Sequence, residues 1–202
     1  LEDGELDGDE VLRGDLLCPQ GHLFPIIKAI PRLLDAQMLG ETLRRFHPQE
    51  WERLRTRIGS EAEEVEDNTT SRTLRSFSYQ WNTFDEMFAH WEENFRSYFE
   101  PLVRREDFHD RLVLDAGCGF GRHAYYSGSY GAEVVAMDLS EAVEAAFQNT
   151  RSLDRVHVIQ GNIYRPPVRP LFDLVYSVGV IQHLPNPEEG FSSLVTRLQP
   201  GG

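Results

Sequence analysis

The chain has 202 residues, of which 40% are hydrophobic and 11% aromatic, and this composition excludes an intrinsically disordered protein. Its formal net charge of −13 repels phosphate backbones, so nucleic acid is an unlikely partner. Two cysteines, too few for a disulfide-rich secreted domain, and no apolar run long enough to cross a bilayer favour a cytoplasmic protein without a membrane partner.

The first 59 residues predict an extension made of a hairpin and a helix. The acidic run Leu1–Glu10 is typical of a solvated, mobile segment. Two short apolar runs within Val11–Leu34 flank a turn that contains proline and glycine, which predicts a hairpin. Helix formers over Glu41–Arg57 predict one helix. A second acidic run follows, and we predict a linker over residues 60–71.

A domain is predicted over residues 72–202, beginning with an aromatic helix. Thr83 and Glu86 have the spacing of a capping box, and Pro101 ends the predicted helix. Tyr79 and Trp81 precede this helix, where they either cover a ligand or pack in the core. The apolar positions of the helix recur at intervals of three or four residues, which favours core packing for that stripe: Phe84, Phe88, Trp91, Phe95 and Phe99.

After Arg111, segments typical of strands alternate with segments typical of helices. This alternation predicts an α/β fold in which a doubly wound parallel sheet is covered by helices on both faces. The carboxyl ends of parallel strands meet at one edge, where ligands bind. The predicted strands are Leu112–Asp115, Val134–Asp138, Val156–Gln160 and Phe172–Val178, and the predicted helices begin near Gly121, Ser140 and Pro187, the last ending at Leu198.

A glycine-rich turn follows the first predicted strand of this domain. Gly117 and Gly119 can adopt backbone conformations that other residues avoid, and they let a ligand approach the main chain. A dinucleotide-binding loop needs a third glycine at the sixth position of this loop, where the chain has Arg122. The spacing therefore argues against a nicotinamide dinucleotide.

An acidic residue ends the second predicted strand. Asp138 lies 21 residues after Gly117, at the position where a carboxylate accepts hydrogen bonds from both ribose hydroxyls of a nucleoside. The alternative is that Asp138 caps the helix predicted to begin near Ser140. The glycine loop in front of it favours the ribose role.

These motifs together resemble the class I S-adenosylmethionine (SAM)-dependent methyltransferase superfamily, in particular the type 11 methyltransferases, over about Phe77–Gly202. The first motif is Leu114–Gly121, the second Met137–Ser140 and the third Gln160–Ile163, with Phe172–Ser177 and Gln182–Leu184 resembling the fourth strand and its loop. The resemblance implies a Rossmann-like fold, an enzyme and SAM as cofactor. It implies a cofactor site made of Asp115, Gly117, Cys118, Gly119, Arg122, Asp138, Leu139, Asn162, Ile163 and Val178.

The resemblance also has departures. Asn162 stands where many relatives have aspartate, although its amide oxygen can still accept a hydrogen bond from the adenine amino group. Residues 198–202 resemble the turn before a fifth strand, so the sheet is expected to be incomplete within this sequence. The backbone of Leu174–Val178 would then lack a partner on one side, which predicts self-association through an uncovered sheet edge.

The amino-terminal segment resembles the second half of a short zinc-ribbon domain found beside methyltransferases. Leu16–Pro19 and the segment from Phe24 to Leu34 support this likeness. A tetrahedral zinc site needs four donors, and Cys18 with His22 supplies two. We therefore expect a remnant without metal and assign no metal ligand.

Three questions of chemistry stay open at the level of sequence. His183 follows the fourth strand and is the candidate catalytic base, or it holds its loop by hydrogen bonds. Arg122 either pairs with the methionine carboxylate of SAM or faces solvent. The chain as a whole is expected to methylate a small-molecule acceptor, and the alternative is a catalytically silent module of the same fold that engages a protein partner.

Overall fold

The computed structural model describes residues 2–59, 62, 91–100 and 102–201. The chain divides into two compact units, Leu1–Arg72 and Thr73–Gly202. Almost all of the predicted linker over residues 60–71, the pair Tyr79 and Trp81, and the first part of the predicted aromatic helix lie outside the described residues. No helix in the described ranges is both long enough and apolar enough to span a membrane.

The first unit contains an antiparallel sheet of four strands, β1 to β4, which is larger than the predicted hairpin. The strand β1 pairs with β2, β2 with β3, and β3 with β4. The prediction of a mobile acidic segment at the start was wrong, because most of that run is strand β1. Opposite charges face each other across the first pair, where Glu5 lies opposite Arg13. The strands are β1 (Glu2–Asp7), β2 (Glu10–Leu17), β3 (Leu23–Ile27) and β4 (Ile30–Leu33).

Two helices follow where the sequence predicted one. The helix α1 spans Ala36–Phe46, and α2 spans Pro48–Ile58. The break occurs because proline has no N–H to donate and disfavours helical geometry in the preceding residue. His47 accordingly has φ −134° and ψ 59°, and Pro48 starts α2. The side chain of Asp35 caps α1 by accepting a hydrogen bond from the backbone N–H of Met38 at 2.9 Å.

The second unit has the predicted α/β architecture. Its described part begins with helix α3 (Trp91–Phe99) and continues with four strands that alternate with helices. The strands pair in parallel in the order β7-β6-β5-β8. These elements are β5 (Leu112–Ala116), α4 (Arg122–Ser129), β6 (Glu133–Asp138), α5 (Ala142–Thr150), β7 (Val156–Gly161), β8 (Leu174–Tyr176) and α6 (Pro187–Val195).

Successive residues of β5 point to opposite faces of the sheet, and each face has its own core. On one face, Leu114 and Ala116 pack in an apolar cluster that contains Leu194 of α6. On the other face, Asp115 points towards α4 and the aromatic side chains of α3. The sheet is thus covered on both sides, as the alternating pattern predicted. The aromatic core around Phe95 contains Phe99, Phe108, Tyr126 and Tyr130, with ring centroids 4.5 to 5.7 Å from that of Phe95.

Two predicted elements at the end of the chain are longer than the structure shows. The strand predicted over Phe172–Val178 is reduced to the three residues of β8, and α6 ends at Val195 instead of Leu198. Leu198 forms an isolated parallel bridge with Phe172, and the N–H of Gln199 donates to the carbonyl of Phe172 at 3.0 Å. The N–H of Phe172 also donates to the carbonyl of Arg197 at 3.2 Å. Among the described residues, the predicted bare edge therefore has two backbone hydrogen bonds, just before β8 begins.

Candidate functional site

The glycine loop, residues 117–121, connects β5 to α4 at the carboxyl end of the sheet. Its three glycines all have positive φ, at 85°, 53° and 86°. The N–H groups of Gly117 and Cys118 both donate to the carbonyl of Met137 on β6, at 2.7 and 3.0 Å. These bonds hold the start of the loop against the neighbouring strand and leave the N–H of Gly119 to point elsewhere.

Close packing explains why the first and fifth positions of this loop are glycine. A Cβ atom at Gly117 would lie 2.4 Å from Cγ2 of Val180, in the segment after β8. A Cβ atom at Gly121 would lie 3.0 Å from Cα of Ala146 on α5. The spacing of the loop glycines thus reflects the close approach of Val180 and Ala146 as well as the positive φ angles.

Asp138 lies half-buried at the end of β6 and contacts the glycine loop directly. Its Oδ2 accepts a hydrogen bond from the N–H of Gly119 at 2.9 Å. Its Oδ1 accepts from the N–H and the hydroxyl of Ser140, at 2.8 and 2.7 Å. The alternative of a helix cap is not what the structure shows, because α5 begins at Ala142 and Glu141 occupies its cap position.

Asp115 lies beneath the loop and is only 1% exposed. Burial raises its pKa to about 8, and the negative charge of Asp138 adds to this, while hydrogen bonds from Tyr176 and from the N–H of Ala124 act in the opposite direction. Within the described part of the chain, its Oδ2 has no hydrogen-bond partner. Asp115 is therefore enclosed by protein and contacts the first turn of α4.

Sequence reasoning missed the polar partner of Asp115 on the neighbouring strand. Tyr176 lies in register with Asp115 across the β5–β8 pair, and its hydroxyl shares a hydrogen bond of 2.8 Å with that of Ser127 on α4. Burial, followed by the charge of Asp115, raises the pKa of Tyr176 above its usual value. Register between two parallel strands could not be derived from the sequence, so nothing there connected these residues.

Arg122 and His123 begin α4. The guanidinium of Arg122 is partly buried, with its Cζ 5.1 Å from the ring centroid of Trp91 on α3. The guanidinium is thus not a purely solvent-facing one, and its predicted contact with the methionine carboxylate stays a prediction. His123 is 6% exposed, and burial together with the nearby Arg122 lowers its pKa to about 3.

Cys118 lies in the loop but is unsuited to act as a nucleophile. Its side chain is buried, and burial raises its thiol pKa well above the usual value. The backbone of Cys118, and not its sulfur, is therefore the part suited to contact a ligand.

The predicted adenine contacts lie after β6 and β7. The carbonyl of Leu139 accepts a hydrogen bond of 3.0 Å from the side chain of Gln160, which fixes the turn after β6. The Oδ1 atom of Asn162 accepts from the N–H of Tyr164 at 3.0 Å. Ile163 is buried and packs in the apolar cluster. Its backbone is therefore the part that lies nearest to the sheet edge.

The remaining predicted residues follow β8. The hydroxyl of Ser177 donates to the carbonyl of Ala116 at 2.7 Å, which holds this segment beside the start of the glycine loop. Val178 is half-buried, and His183 is exposed at the end of a short 3-10 helix, Ile181–His183. Val180, the residue that contacts Gly117, was not identified from the sequence, because its role depends on how closely the segment after β8 approaches the glycine loop.

A known protein family matches the part of the chain that forms this site. Residues 114–202 match the methyltransferase domain family. This match supports the predicted class, a SAM-dependent methyltransferase, for these residues. The predicted α/β fold is confirmed, because it is the fold of a solved structure from Methanococcus maripaludis that is described as an S-adenosyl-L-methionine-dependent methyltransferase. That structure has a TM-score of 0.55 and 20% identity, over 69% of this chain and 64% of the other.

Curated relatives match about half of the chain. A tRNA U34 carboxymethyltransferase from Pseudoalteromonas atlantica is 33% identical over 101 residues, which are 48% of this chain and 31% of that protein. An uncharacterized protein from Synechococcus is 38% identical over 97 residues, 45% of this chain and 23% of that protein. The chain thus spans about a third or less of the length of these relatives.

The resemblance of the first unit to a zinc ribbon finds no support. The family match begins at residue 114, outside this unit. Cys18 and His22 do meet at the β2–β3 turn, with Sγ and Nδ1 3.3 Å apart. Two donors are half of a tetrahedral zinc site, and the segment around them forms part of a four-stranded antiparallel sheet.

Proposed function

We propose that the methyltransferase domain binds SAM across the carboxyl ends of β5 and β6 and directs its methyl group to an acceptor. The observation that carries this proposal is the contact between the N–H of Gly119 and the carboxylate of Asp138. It brings together, at one edge of the sheet, the loop that admits a ligand to the main chain and the carboxylate suited to a ribose.

The residues present fit the cofactor. A carboxylate has about four lone-pair directions, and Asp138 uses three of them on Gly119 and Ser140, which leaves one on Oδ2 for a ribose hydroxyl. The amide oxygen of Asn162, directly after β7, is an acceptor of the kind that the adenine amino group needs. The Nε atom of Arg122 is buried without a hydrogen-bond partner among the described residues, so it can receive the methionine carboxylate.

Other residues shape the same site. We assign Gly117, Cys118, Leu139, Ile163 and Val178 to its walls, where they contact the cofactor through the backbone or through apolar atoms. Asp115 acts from beneath, by holding the N–H of Ala124 and hence the first turn of α4. It is therefore a positioning residue and not a direct ligand.

When bound, SAM supplies a sulfonium methyl group that an acceptor attacks in line. The protein contributes orientation and a site protected from water, and a base is needed only when the acceptor must lose a proton. His183 is the candidate for that base, because it is exposed on the segment that follows β8 and packs against the glycine loop through Val180. The alternative is that His183 only holds this segment.

We propose a small molecule as the acceptor. A second candidate is RNA, since several relatives are named tRNA U34 carboxymethyltransferases. The net charge of the domain opposes RNA binding less than the net charge of the whole chain does. Residues 102–201 hold nine arginines and twelve acidic residues, so most of the net charge of −13 lies elsewhere in the chain. RNA binding that weakens steeply with added salt would favour this second candidate.

Calorimetric titration of the folded chain with SAM and with S-adenosylhomocysteine tests the proposal. We expect both to bind, and Gly119→Val to abolish binding because the side chain occupies the space of the ligand. Gly8→Val is the matched control, since Gly8 has a similar φ of 61° in the first unit. Absence of binding to the native chain would favour the silent module, and undiminished binding by folded Gly119→Val would refute the loop assignment.

A further inference from the structure

The side chain of Arg122 is held by two neighbours. Its Nη2 lies 3.3 Å from Nε2 of His123, and its Cζ lies 5.1 Å from the ring centroid of Trp91. Trp91 is itself fixed against Phe120 of the glycine loop, with ring centroids 5.2 Å apart. The guanidinium is thus placed beside the loop by an imidazole and an indole.

The contact with His123 determines how that imidazole is protonated. A guanidinium has donors and no acceptor, so Nε2 of His123 must accept and the proton resides on Nδ1. Burial among Phe95, Tyr98 and Phe99, together with the positive charge of Arg122, lowers the pKa of His123 to about 3. His123 therefore remains a neutral acceptor throughout the physiological pH range.

Adjacent residues of a helix do not normally face each other. Arg122 and His123 meet because the long arginine side chain turns back along α4, and the ring of Trp91 restricts it from the other side. An arginine that is free to rotate in solution loses rotamer entropy when it binds an anion. Two protein contacts that already fix the guanidinium reduce this cost.

No carboxylate forms an ion pair with Arg122 in the described part of the chain, although many other arginines there have one. Its Nε is buried without a hydrogen-bond partner among those residues. The neighbouring Asp115 is directed to Ala124 and Tyr176. Arg122 thus has a positive charge, a fixed orientation and an unused donor at the amino-terminal end of α4, where anions are favoured.

We propose that His123 and Trp91 are positioning residues that hold Arg122 as a selective site for the carboxylate of the amino-acid part of the cofactor. This proposal rests on the proposed function. His123 contributes as a hydrogen-bond acceptor and Trp91 as a flat surface under the guanidinium. Neither touches the reacting atoms.

Two ligands that differ in this carboxylate test the proposal. S-adenosylhomocysteine has the amino-acid part, and 5′-methylthioadenosine lacks it. We expect His123→Leu to weaken S-adenosylhomocysteine at least about tenfold while the affinity for 5′-methylthioadenosine stays the same. His123→Gln supplies an amide oxygen as acceptor and should recover much of the loss. Trp91→Leu should act like His123→Leu, and Trp91→Phe should be milder.

Each outcome of these titrations either supports or contradicts the proposal. His157→Leu is the control, because His157 is an exposed histidine that contacts Glu133. Equal weakening of both ligands by His123→Leu and Trp91→Leu would mean a structural role and would overturn the proposal, as would an unchanged preference for S-adenosylhomocysteine. Circular dichroism identifies any variant that does not fold. If one of the two leucine variants does not fold, the ligand affinities of the other test the proposal. Failure of the unaltered chain to bind either ligand would instead refute the proposed function.

Discussion

The N–H of Gly119 donates to Oδ2 of Asp138 at 2.9 Å, so the middle of the glycine loop is tied to the end of the neighbouring strand. The same carboxylate holds Ser140 through its other oxygen. One side chain thus sets the shape of the loop and of the turn after β6. A change at Asp138 must affect both the ligand site and the local backbone.

Asp138→Ala is expected to weaken S-adenosylhomocysteine by roughly 1.5 to 3 kcal/mol, because a charge-assisted hydrogen bond to the ribose is lost. Asp138→Asn keeps the shape and one acceptor, so its loss should be smaller. Titration calorimetry measures both. If Asp138→Ala lost its fold while the remaining native fraction bound with unchanged affinity, Asp138 would have only a structural role.

Asp115→Asn should stabilise the protein near neutral pH. The folded pKa of Asp115 is raised to about 8 from an ordinary value of 3.8, chiefly by burial. The contribution of this group to stability is therefore complete below about pH 4 and is lost as the pH rises towards 8. The asparagine variant removes this dependence, so its melting temperature should exceed that of the native chain at pH 8 and approach it near pH 4. An equal difference at both pH values would contradict the assignment.

The second unit could be predicted from its sequence because hydrophobic runs and glycine spacing are local patterns. The carboxyl ends of β5, β6 and β7 follow from them to within about one residue, and so does the placement of Asp115, Gly117 and Asp138 at that edge. What could not be predicted depends on register and approach between distant segments. Tyr176 beside Asp115, and Val180 against Gly117, require the pairing of β5 with β8.

The first unit was less well predicted, although some of the signals were present. Gly8-Asp9 is typical of a tight hairpin turn, and Gly8 has a φ of 61° between β1 and β2. The acidic composition of residues 1–10 favoured a solvated segment instead of a strand. Pro48 likewise marks the start of α2, but the helix formers on both sides favoured one helix.

Asp15→Asn should destabilise the first unit by about 2 to 4 kcal/mol, because it leaves Arg53 and Arg57 without their shared partner. Asp15 is fully buried, and its oxygens accept hydrogen bonds of 2.7 to 2.8 Å from both arginines. Burial acts to raise its pKa, but the arginines outweigh this and the net shift is downward.

The depressed pKa of Asp15 fixes the pH range of the effect. Its stabilisation is present above the ordinary pKa of 3.8 and is lost as the pH falls below that value. Chemical unfolding of Asp15→Asn should therefore differ from the native chain at pH 7 and converge with it at strongly acidic pH. Asp9→Asn, at an exposed turn, is the control and should match the native chain at pH 7.

Self-association of this 202-residue chain stays a prediction. Among the described strands β8 is at one end of the parallel order, and the bridge between Phe172 and Leu198 is the backbone contact on its outer side. Light scattering over a concentration series should show an increasing mass. Gln199→Pro removes the N–H that donates to Phe172 and should increase association, whereas a constant monomer mass for both would contradict the prediction.

Gly117→Ala is expected to destabilise the second unit more than Gly179→Ala does. Both glycines have positive φ, 85° and 75°, so an alanine is strained at either position. An added Cβ at Gly117 would lie 2.4 Å from Cγ2 of Val180, whereas nothing lies within 4 Å of one at Gly179. The difference between the two variants therefore reports the contact between the glycine loop and the segment after β8. Val180→Ala shortens the opposing side chain, so the double variant Gly117→Ala with Val180→Ala should recover part of the loss. Thermal unfolding measures all four proteins, and equal destabilisation by the two alanines, without recovery in the double variant, would show that backbone strain alone requires glycine at position 117.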